Sequence, residues 1–217
     1  MTTQIARDNM IKQQLRTGDV LDESVLTLYR SLPRDTFVPD QYKEFAYSDM
    51  QIPLPREQRM LAPLEEALIL QALALTGRET VLEIGTGTGF LTALLSQLSK
   101  KVISIDYYEE FTAMARQHLN QHHCKNVQLI TGDGSQGLVD DAPYDVIVFG
   151  GGLEALNDIQ RLQVLPGGRL IAMIGHAPIL QVKLYELDHQ EQWTEQLLFE
   201  TNIPPLIDKL NQQHFVF

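Results

Sequence analysis

One stretch of the sequence, ETVLEIGTGTGF at residues 79–90, decides the fold together with KVISID at residues 101–106. Each stretch contains a short apolar run rich in β-branched residues, which is typical of a buried strand. The first run leads into glycines at alternate positions, and the residues between the two runs have the length of one helix. This order is typical of the first half of a nucleotide-binding α/β fold, in which a helix N-terminus and an acidic strand end face one ligand.

The second strand ends on the carboxylate of Asp106, 21 residues after Gly85. In folds of this kind an acidic residue at that distance from the glycine-rich turn accepts hydrogen bonds from ribose hydroxyls. We therefore predict that Asp106 is a ribose ligand.

The spacing of the glycines indicates which nucleotide is bound. A dinucleotide site has the pattern G-x-G-x-x-G, which would require a third glycine at position 90. That position is Phe90 and the third glycine is Gly89, so the pattern is E-x-G-x-G-x-G, led by Glu83. A carboxylate there repels a pyrophosphate and attracts an ammonium or sulfonium group. We predict a site for S-adenosyl-L-methionine; a nicotinamide site and a glycine-rich turn without a ligand are the less favoured alternatives.

Composition and charge exclude several classes of protein. The net charge of −11 disfavours a nucleic-acid partner, and the chain contains no run of 18 apolar residues that could span a membrane. We expect no leader peptide, because the first residues lack an apolar segment. The single cysteine, Cys124, excludes an internal disulfide, and the six histidines lack metal-ligand spacing. We expect a cytoplasmic protein without a metal, as a monomer or weak dimer.

Apolar periodicity predicts the order of helices and strands. The predicted helices are 4–17, 22–31, 63–77, 88–99, 109–121 and 154–164. The predicted strands are 80–84, 102–106, 127–131, 144–149 and 168–174, and the segment 179–201 is expected to form two antiparallel strands. The alternation of strands and helices indicates a doubly wound, mostly parallel, seven-stranded Rossmann-like sheet with helices on both faces and antiparallel strands at its C-terminal edge.

Four further segments narrow the assignment: MIKQQLR at 10–16, SLPRDTFVP at 31–39, GDGSQG at 132–137 and APYDVI at 142–147. Together with the glycine-rich turn, they resemble the protein-L-isoaspartate O-methyltransferase family of class I methyltransferases over nearly the whole chain. The resemblance implies S-adenosyl-L-methionine as methyl donor and the carboxylate of an isoaspartyl residue in a damaged protein or peptide as acceptor. It implies one domain, 1–217, in which a helical extension and substrate loop (1–62) pack on a cofactor-binding α/β core (63–217).

The resemblance also implies the residues of the cofactor site. The methionine-side wall would come from Glu83, Gly85, Thr86 and Gly87, the ribose ligand would be Asp106, and the adenine would contact Asp133 and Gly134.

The chain departs from the family on the acceptor side. The family segment G-Q-T-I-S-Q-P corresponds to EQRMLAP at residues 57–63, here called the acceptor loop, so Leu61 replaces the serine and Arg59 the threonine. After the fourth strand, the family sequence T-A-A becomes glycines at 150–152. We predict that Leu61 and Arg59 occupy the catalytic positions, with Arg59 able to contact a carboxylate. Two alternatives remain: methylation of another acceptor, such as a small molecule, and cofactor binding without isoaspartate turnover.

Overall fold

The computed structural model describes residues 3–207, which form a sheet flanked by helices. The strands are Ile52–Pro53 (β1), Arg59–Met60 (β2), Thr80–Ile84 (β3), Lys101–Asp106 (β4), Val127–Thr131 (β5), Tyr144–Leu153 (β6), Val164–His176 (β7), Ile179–Leu187 (β8) and Trp193–Thr201 (β9). The α-helices are Thr3–Met10 (α1), Glu23–Ser31 (α2), Pro63–Leu73 (α3), Phe90–Leu98 (α4), Glu109–Gln121 (α5) and Asp158–Arg161 (α6).

The main sheet has seven strands in the order β5-β4-β3-β6-β7-β8-β9. The five strands from β5 to β7 pair in parallel, and β7, β8 and β9 pair antiparallel. The predicted fold class is therefore confirmed. The carboxyl ends of β3, β4 and β6 lie side by side at one edge, where open α/β sheets bind their ligands.

Alternation along the strands separates two apolar cores. In β3, Val81 belongs to a cluster that includes residues of α1 to α5, and its neighbour Leu82 belongs to a cluster on the opposite face. Successive strand residues point to opposite faces, so both faces of this strand are buried. The second face is covered mainly by loops and by α6, whose Arg161 lies 5.5 Å from the Tyr185 ring centroid and 5.4 Å from that of Trp193.

Some predicted boundaries are wrong. The helix expected at 154–164 is a single turn, Asp158–Arg161, because β6 and β7 are longer than expected. The helix expected at 4–17 remains α-helical only to Met10 and continues as a π-helix over Ile11–Leu15. The helix expected at 63–77 ends at Leu73, since Ala74 adopts a left-handed conformation.

Residues 52–60 form a β-hairpin, in which Ile52 pairs with Met60 and Pro53 with Arg59. This hairpin lies within the segment that the sequence leaves irregular. Residues of the N-terminal extension, such as Leu15 and Leu26, join the same apolar cluster as Leu70 of α3. The division at residue 62 stays a prediction.

Within residues 3–207, no helix is long and apolar enough to cross a membrane. In the same part of the chain, no three His, Cys, Asp or Glu side chains are grouped so that they could hold a metal ion. Cytoplasmic location, oligomeric state and the lack of a nucleic-acid partner stay predictions.

Candidate active site

The glycine-rich turn joins the end of β3 to the start of α4. Gly85, Gly87 and Gly89 have φ angles of 98°, 53° and 84°, which lie in the left-handed region that favours glycine. A Cβ on Gly89 would lie 2.9 Å from the Cβ of Ala115, so α5 packs directly against the turn. The turn therefore exposes backbone rather than side chains at the sheet edge.

Gly150 of β6 lies directly beside the end of β3. A Cβ on Gly150 would lie 3.1 Å from the carbonyl oxygens of both Ile84 and Gly85. The glycine at 150 keeps this floor of the site flat, which leaves room for a ligand above the two strand ends.

Asp106 is buried at the end of β4, beside the glycine-rich turn. Its Oδ2 accepts a hydrogen bond from the Gly87 N–H at 2.9 Å, and its Oδ1 accepts one from the Tyr108 N–H at 3.0 Å. Burial raises the pKa of this carboxyl above its usual value, whereas the amide donors act in the opposite direction. Each oxygen retains a lone pair, so the fixed carboxylate can accept two further hydrogen bonds.

A crevice runs over these groups at the carboxyl edge of the sheet. Asp106, Gly134 and Ser135 line it together with the apolar side chains of Ile105 and Phe111. Its wall also includes Gly85, Gly87 and residues of the hairpin. The crevice thus combines a fixed carboxylate, which can accept hydrogen bonds, with an apolar slot; ribose and adenine binding there stay predictions.

The structure places Gly134 in the crevice wall, and Asp133 immediately precedes it in the chain. A Cβ on Gly134 would lie 2.7 Å from the Cγ2 of Ile105, so only glycine fits there. Asp133 is half-buried, and its Oδ1 accepts a hydrogen bond from the Ser135 N–H at 3.0 Å. Ser135, which the sequence reasoning missed, lies in the crevice wall. The contact of Asp133 with adenine stays a prediction.

Glu83 lies beneath the turn and has no exposed surface. Its Oε2 accepts hydrogen bonds from the hydroxyls of Thr92 at 2.5 Å and Ser104 at 2.6 Å. The Ser104 hydroxyl is also 2.6 Å from that of Thr86, so this chain links Glu83 to the turn. Burial raises the pKa of the Glu83 carboxyl to about 7. Within residues 3–207, its buried Oε1 has no hydrogen-bond partner.

A second, narrower crevice continues from the first toward the acceptor loop. Leu61, Thr86, Glu66 and Phe90 line it, and it shares Gly150 and other residues with the first crevice. Leu61 is only 5% exposed and belongs to the larger apolar cluster. The predicted acceptor position therefore lies beside the glycine-rich turn, but its side chain offers no hydrogen bond.

A buried ion pair supports the acceptor loop from below. Arg34 and Glu66 are 1% and 2% exposed, and the Nη1 of Arg34 donates to the Oε2 of Glu66. The guanidinium also donates to the carbonyl oxygen of Leu61 at 2.5 Å and lies 5.0 Å from the Phe90 ring centroid. Burial raises the pKa of Glu66 to about 8, whereas Arg34 acts to lower it. The sequence reasoning did not identify this pair.

Arg59 is exposed and faces three concave surfaces. It lines both crevices and an outer groove between the hairpin and residues 202–207, here called the C-terminal segment. Its Nη1 is 3.5 Å from the Oε1 of Gln51 and from the carbonyl oxygen of Asn202. These contacts are at the limit of hydrogen bonding, so the guanidinium is free to engage a ligand.

The glycines at 150–152, which lie in the last part of β6, allow the C-terminal segment to pack on the sheet edge. The Gly152 N–H donates to the Pro204 carbonyl, and the Leu206 N–H donates to the Gly152 carbonyl, both at 2.9 Å. A Cβ on Gly151 would lie 2.8 Å from the Cδ2 of Leu206. The glycines at 150–152, which replace the family sequence T-A-A, thus leave room for the C-terminal segment. This segment forms a wall of the site.

The order of the strands, the glycine-rich turn and the Asp106 carboxylate at the end of β4 are together typical of a Rossmann-like methyltransferase. Comparison with known proteins gives the family. Residues 5–210 match the family model described as protein-L-isoaspartate(D-aspartate) O-methyltransferase (PCMT), so the chain belongs to this family.

Relatives and solved structures agree with this assignment. The chain is 39% identical over 175 residues to a protein-L-isoaspartate O-methyltransferase of Koribacter versatilis, with 81% of this chain and 78% of the relative covered. It is 38% identical over 171 residues to protein-L-isoaspartate O-methyltransferase 2 of Shewanella sediminis, with coverages of 79% and 70%.

Two solved structures have the same fold. One is named protein-L-isoaspartate O-methyltransferase and has a TM-score of 0.80, 23% identity and coverages of 94% of this chain and 67% of its own. The other is a protein from Plasmodium falciparum described as a putative member of the family, in complex with S-adenosyl-L-homocysteine. Its TM-score is 0.77, with 18% identity and coverages of 93% and 98%.

Proposed function

We propose that this protein transfers the methyl group of S-adenosyl-L-methionine to the carboxylate of isoaspartyl residues in damaged proteins or peptides. One observation carries the proposal: the Asp106 carboxylate, fixed by the amides of Gly87 and Tyr108, lies in a glycine-walled crevice that continues to the acceptor loop. Family membership supports the same activity.

The residues present suit the cofactor. Asp106 would hold the ribose hydroxyls, and Ile105 and Phe111 would flank the adenine. Gly85 and Gly150 leave space above the strand ends for the remainder of the molecule. Glu83 has one unsatisfied oxygen under the turn, and a cationic methionine end would favour the ionised form of this carboxyl, whose pKa burial has raised to about 7. When bound, the cofactor supplies a methyl group activated by its sulfonium.

The acceptor needs orientation rather than activation. A carboxylate is already ionised at pH 7, so the reaction requires no general base. The chain must hold the acceptor in line with the methyl group and exclude water, for which about 7–11 kcal/mol is available in well-aligned cases. The buried side chains of Leu61 and Phe90 supply a water-excluding wall.

Arg59 is the group that we propose for recognition of the acceptor carboxylate. Its guanidinium can form a paired hydrogen bond with a carboxylate, and its present contacts are long. Losing a hydrogen bond to a charged group costs about 1.5–3 kcal/mol. A cation at 59 would therefore offset the hydroxyl that Leu61 cannot provide.

Two measurements test the proposal. Calorimetry should detect binding of S-adenosylmethionine, and the tritiated cofactor should label an isoaspartyl peptide but not the matched aspartyl peptide. No heat of binding at high micromolar cofactor would remove the cofactor assignment. Binding without labelling of the isoaspartyl peptide would instead indicate another acceptor or a protein that binds the cofactor without turnover.

A further inference from the structure

We propose that Glu65 is a positioning residue that joins the acceptor loop to the C-terminal segment and thereby fixes the groove in which the acceptor binds. The inference rests on the proposed function, since it assigns the groove to a methyl acceptor. Glu65 lies in the first turn of α3, next to Glu66. The two carboxylates point to different partners.

The Leu61–Ala62 peptide group is held at both ends by charged side chains. Its carbonyl oxygen accepts a hydrogen bond from the buried guanidinium of Arg34 at 2.5 Å. Its N–H, which belongs to Ala62, donates to the Oε2 of Glu65 at 2.7 Å. A peptide plane held from both sides cannot rotate without breaking a charge-assisted hydrogen bond. The orientation of Leu61 is therefore set through the backbone.

The same carboxylate reaches the start of the C-terminal segment. The Thr201 hydroxyl donates to the Oε1 of Glu65 at 2.5 Å, across 136 residues of sequence. The Nε2 of Gln51 donates to both carboxylate oxygens at 3.0 and 3.2 Å and lies 3.1 Å from the Thr201 hydroxyl. Glu65 thus connects the acceptor loop, the segment before the hairpin and the end of β9.

The acceptor loop, the segment before the hairpin and the C-terminal segment that follows β9 line the outer groove. The groove is lined by Gln51 and Arg59 on one side and by Asn202 and Pro204 on the other. Thr201 immediately precedes the C-terminal segment, so a tether at Thr201 sets the distance between the walls. The Nη1 of Arg59 reaches across the groove to within 3.5 Å of the Asn202 carbonyl oxygen. A change at Glu65 would therefore alter the groove without touching Asp106.

A simpler role for Glu65 would be that of a helix cap. An acidic residue at the third helical position commonly accepts the N–H of the residue before the helix. Capping accounts for the contact with Ala62 but not for those with Gln51 and Thr201. The two roles differ in one respect: only the tether connects Glu65 to the C-terminal segment.

Amide hydrogen exchange tests the tether independently of activity. In Glu65→Ala, exchange in the peptides that cover residues 59–64 and 201–207 should both accelerate by about 10-fold, since each loses hydrogen bonds to a carboxylate. Glu65→Gln should show a smaller acceleration, because it keeps one acceptor oxygen. Glu44→Ala, which removes an exposed carboxylate from the same part of the chain, is the control and should change neither peptide.

Steady-state kinetics tests the positioning. For Glu65→Ala, the KM for an isoaspartyl peptide should rise by about 10-fold, whereas the Kd for S-adenosylmethionine should stay within about twofold of the wild-type value. Thr201→Val removes only the tethering hydroxyl, and it should reproduce part of the KM change with little effect on thermal stability.

The outcomes separate the two proposals. Faster exchange at 59–64 alone, with 201–207 unchanged, would leave Glu65 as a helix cap and overturn the inference. An unchanged KM in both Glu65→Ala and Thr201→Val would overturn it as well. If the wild-type protein labels no isoaspartyl peptide, the proposed function fails. In that case hydrogen exchange at 201–207 still tests whether Glu65 tethers the C-terminal segment. The assignment of the groove to a methyl acceptor would be wrong together with the proposed function.

Discussion

Two regions of the site are built from different parts of the sequence. The cofactor crevice is the one that contains Asp106, and the acceptor side is the acceptor loop with the groups that support it. The crevice takes its one carboxylate and its glycine-rich backbone from one continuous stretch, residues 85–108. The acceptor side brings together Arg34, the acceptor loop, Glu65, the glycines at 150–152 and the C-terminal segment. The first depends on local conformation and the second on contacts between distant segments.

The electrostatics of the two sides also differ. Near the cofactor, Asp106 and Glu83 accept hydrogen bonds from neutral amides and hydroxyls. Under the acceptor loop, Glu66 is paired with the fully buried guanidinium of Arg34. Removing one partner of a buried ion pair is strongly destabilising, whereas a carboxylate bound by neutral donors can take up a proton. The acceptor side is thus held by two buried side chains that depend on each other.

The largest expected effect is a loss of cofactor affinity from a change in the cofactor crevice alone. Asp106→Ala should raise the Kd for S-adenosylmethionine by about 100-fold or more, because two hydrogen bonds to a charged group are lost. Asp106→Asn should raise it by about 10-fold, since one acceptor oxygen remains. Calorimetry gives both values.

The matched control for this pair is Asp145→Asn. Asp145 accepts a hydrogen bond from the Thr80 N–H at 2.7 Å, at the opposite ends of β3 and β6 from the crevice. Its replacement should leave the Kd unchanged. An equal loss of affinity in Asp145→Asn would mean that the effect at Asp106 reflects general damage to the sheet.

The next effect tests the acceptor side alone. Arg59→Ala should lower kcat/KM for an isoaspartyl peptide by about 10- to 100-fold, because the acceptor carboxylate loses a charge-assisted hydrogen bond. The Kd for S-adenosylmethionine should stay within about twofold. Arg78→Ala is the control, since Arg78 is an exposed arginine just before β3, at the opposite end of this strand from the crevice. Equal losses in both variants would contradict a specific role for Arg59.

The contrast between the two sides explains which features the sequence predicts. Strands such as 80–84 and 127–131 agree with the structure residue for residue, because apolar alternation and turn residues act locally. Asp106 and the glycines were predicted for the same reason. The helix expected at 154–164 rested on apolar spacing, but Ile159 and Leu162 are 51% and 81% exposed. Spacing alone does not show which residues a neighbouring element will cover.

The groups that support the acceptor side carry no such local signal. Arg34 contacts a carbonyl 27 residues away, and Thr201 contacts Glu65 across 136 residues. Consecutive glutamates at the start of a helix are favourable for the helix dipole alone, so their sequence does not reveal that each has a distant partner. Tertiary contacts, rather than residue type, distinguish Glu65 from Glu66.

A smaller effect is expected at Leu61, which replaces the serine of the family pattern. Leu61→Ser should raise kcat/KM for an isoaspartyl peptide by up to about 10-fold, because a hydroxyl contributes one hydrogen bond beside a charged acceptor. It should also lower the free energy of unfolding by about 2–5 kcal/mol, since a buried leucine is lost. Leu61→Ala shares the cavity but lacks the hydroxyl. Equal activity of the two variants would show that the hydroxyl is not the missing group.

The last effect concerns stability rather than catalysis and is a pH dependence that originates under the cofactor crevice. The pKa of Glu83 is raised from an ordinary value of 4.5 to about 7 in the folded protein, so the native state holds a proton that the unfolded chain releases. This contribution to stability is complete below about pH 4.5 and is lost as the pH rises toward 7, by on the order of 1 kcal/mol per pH unit. Denaturant unfolding of Glu83→Gln should show a flatter dependence over this window than the wild-type protein. Equal slopes would mean that Glu83 stays ionised in the folded protein over this pH window.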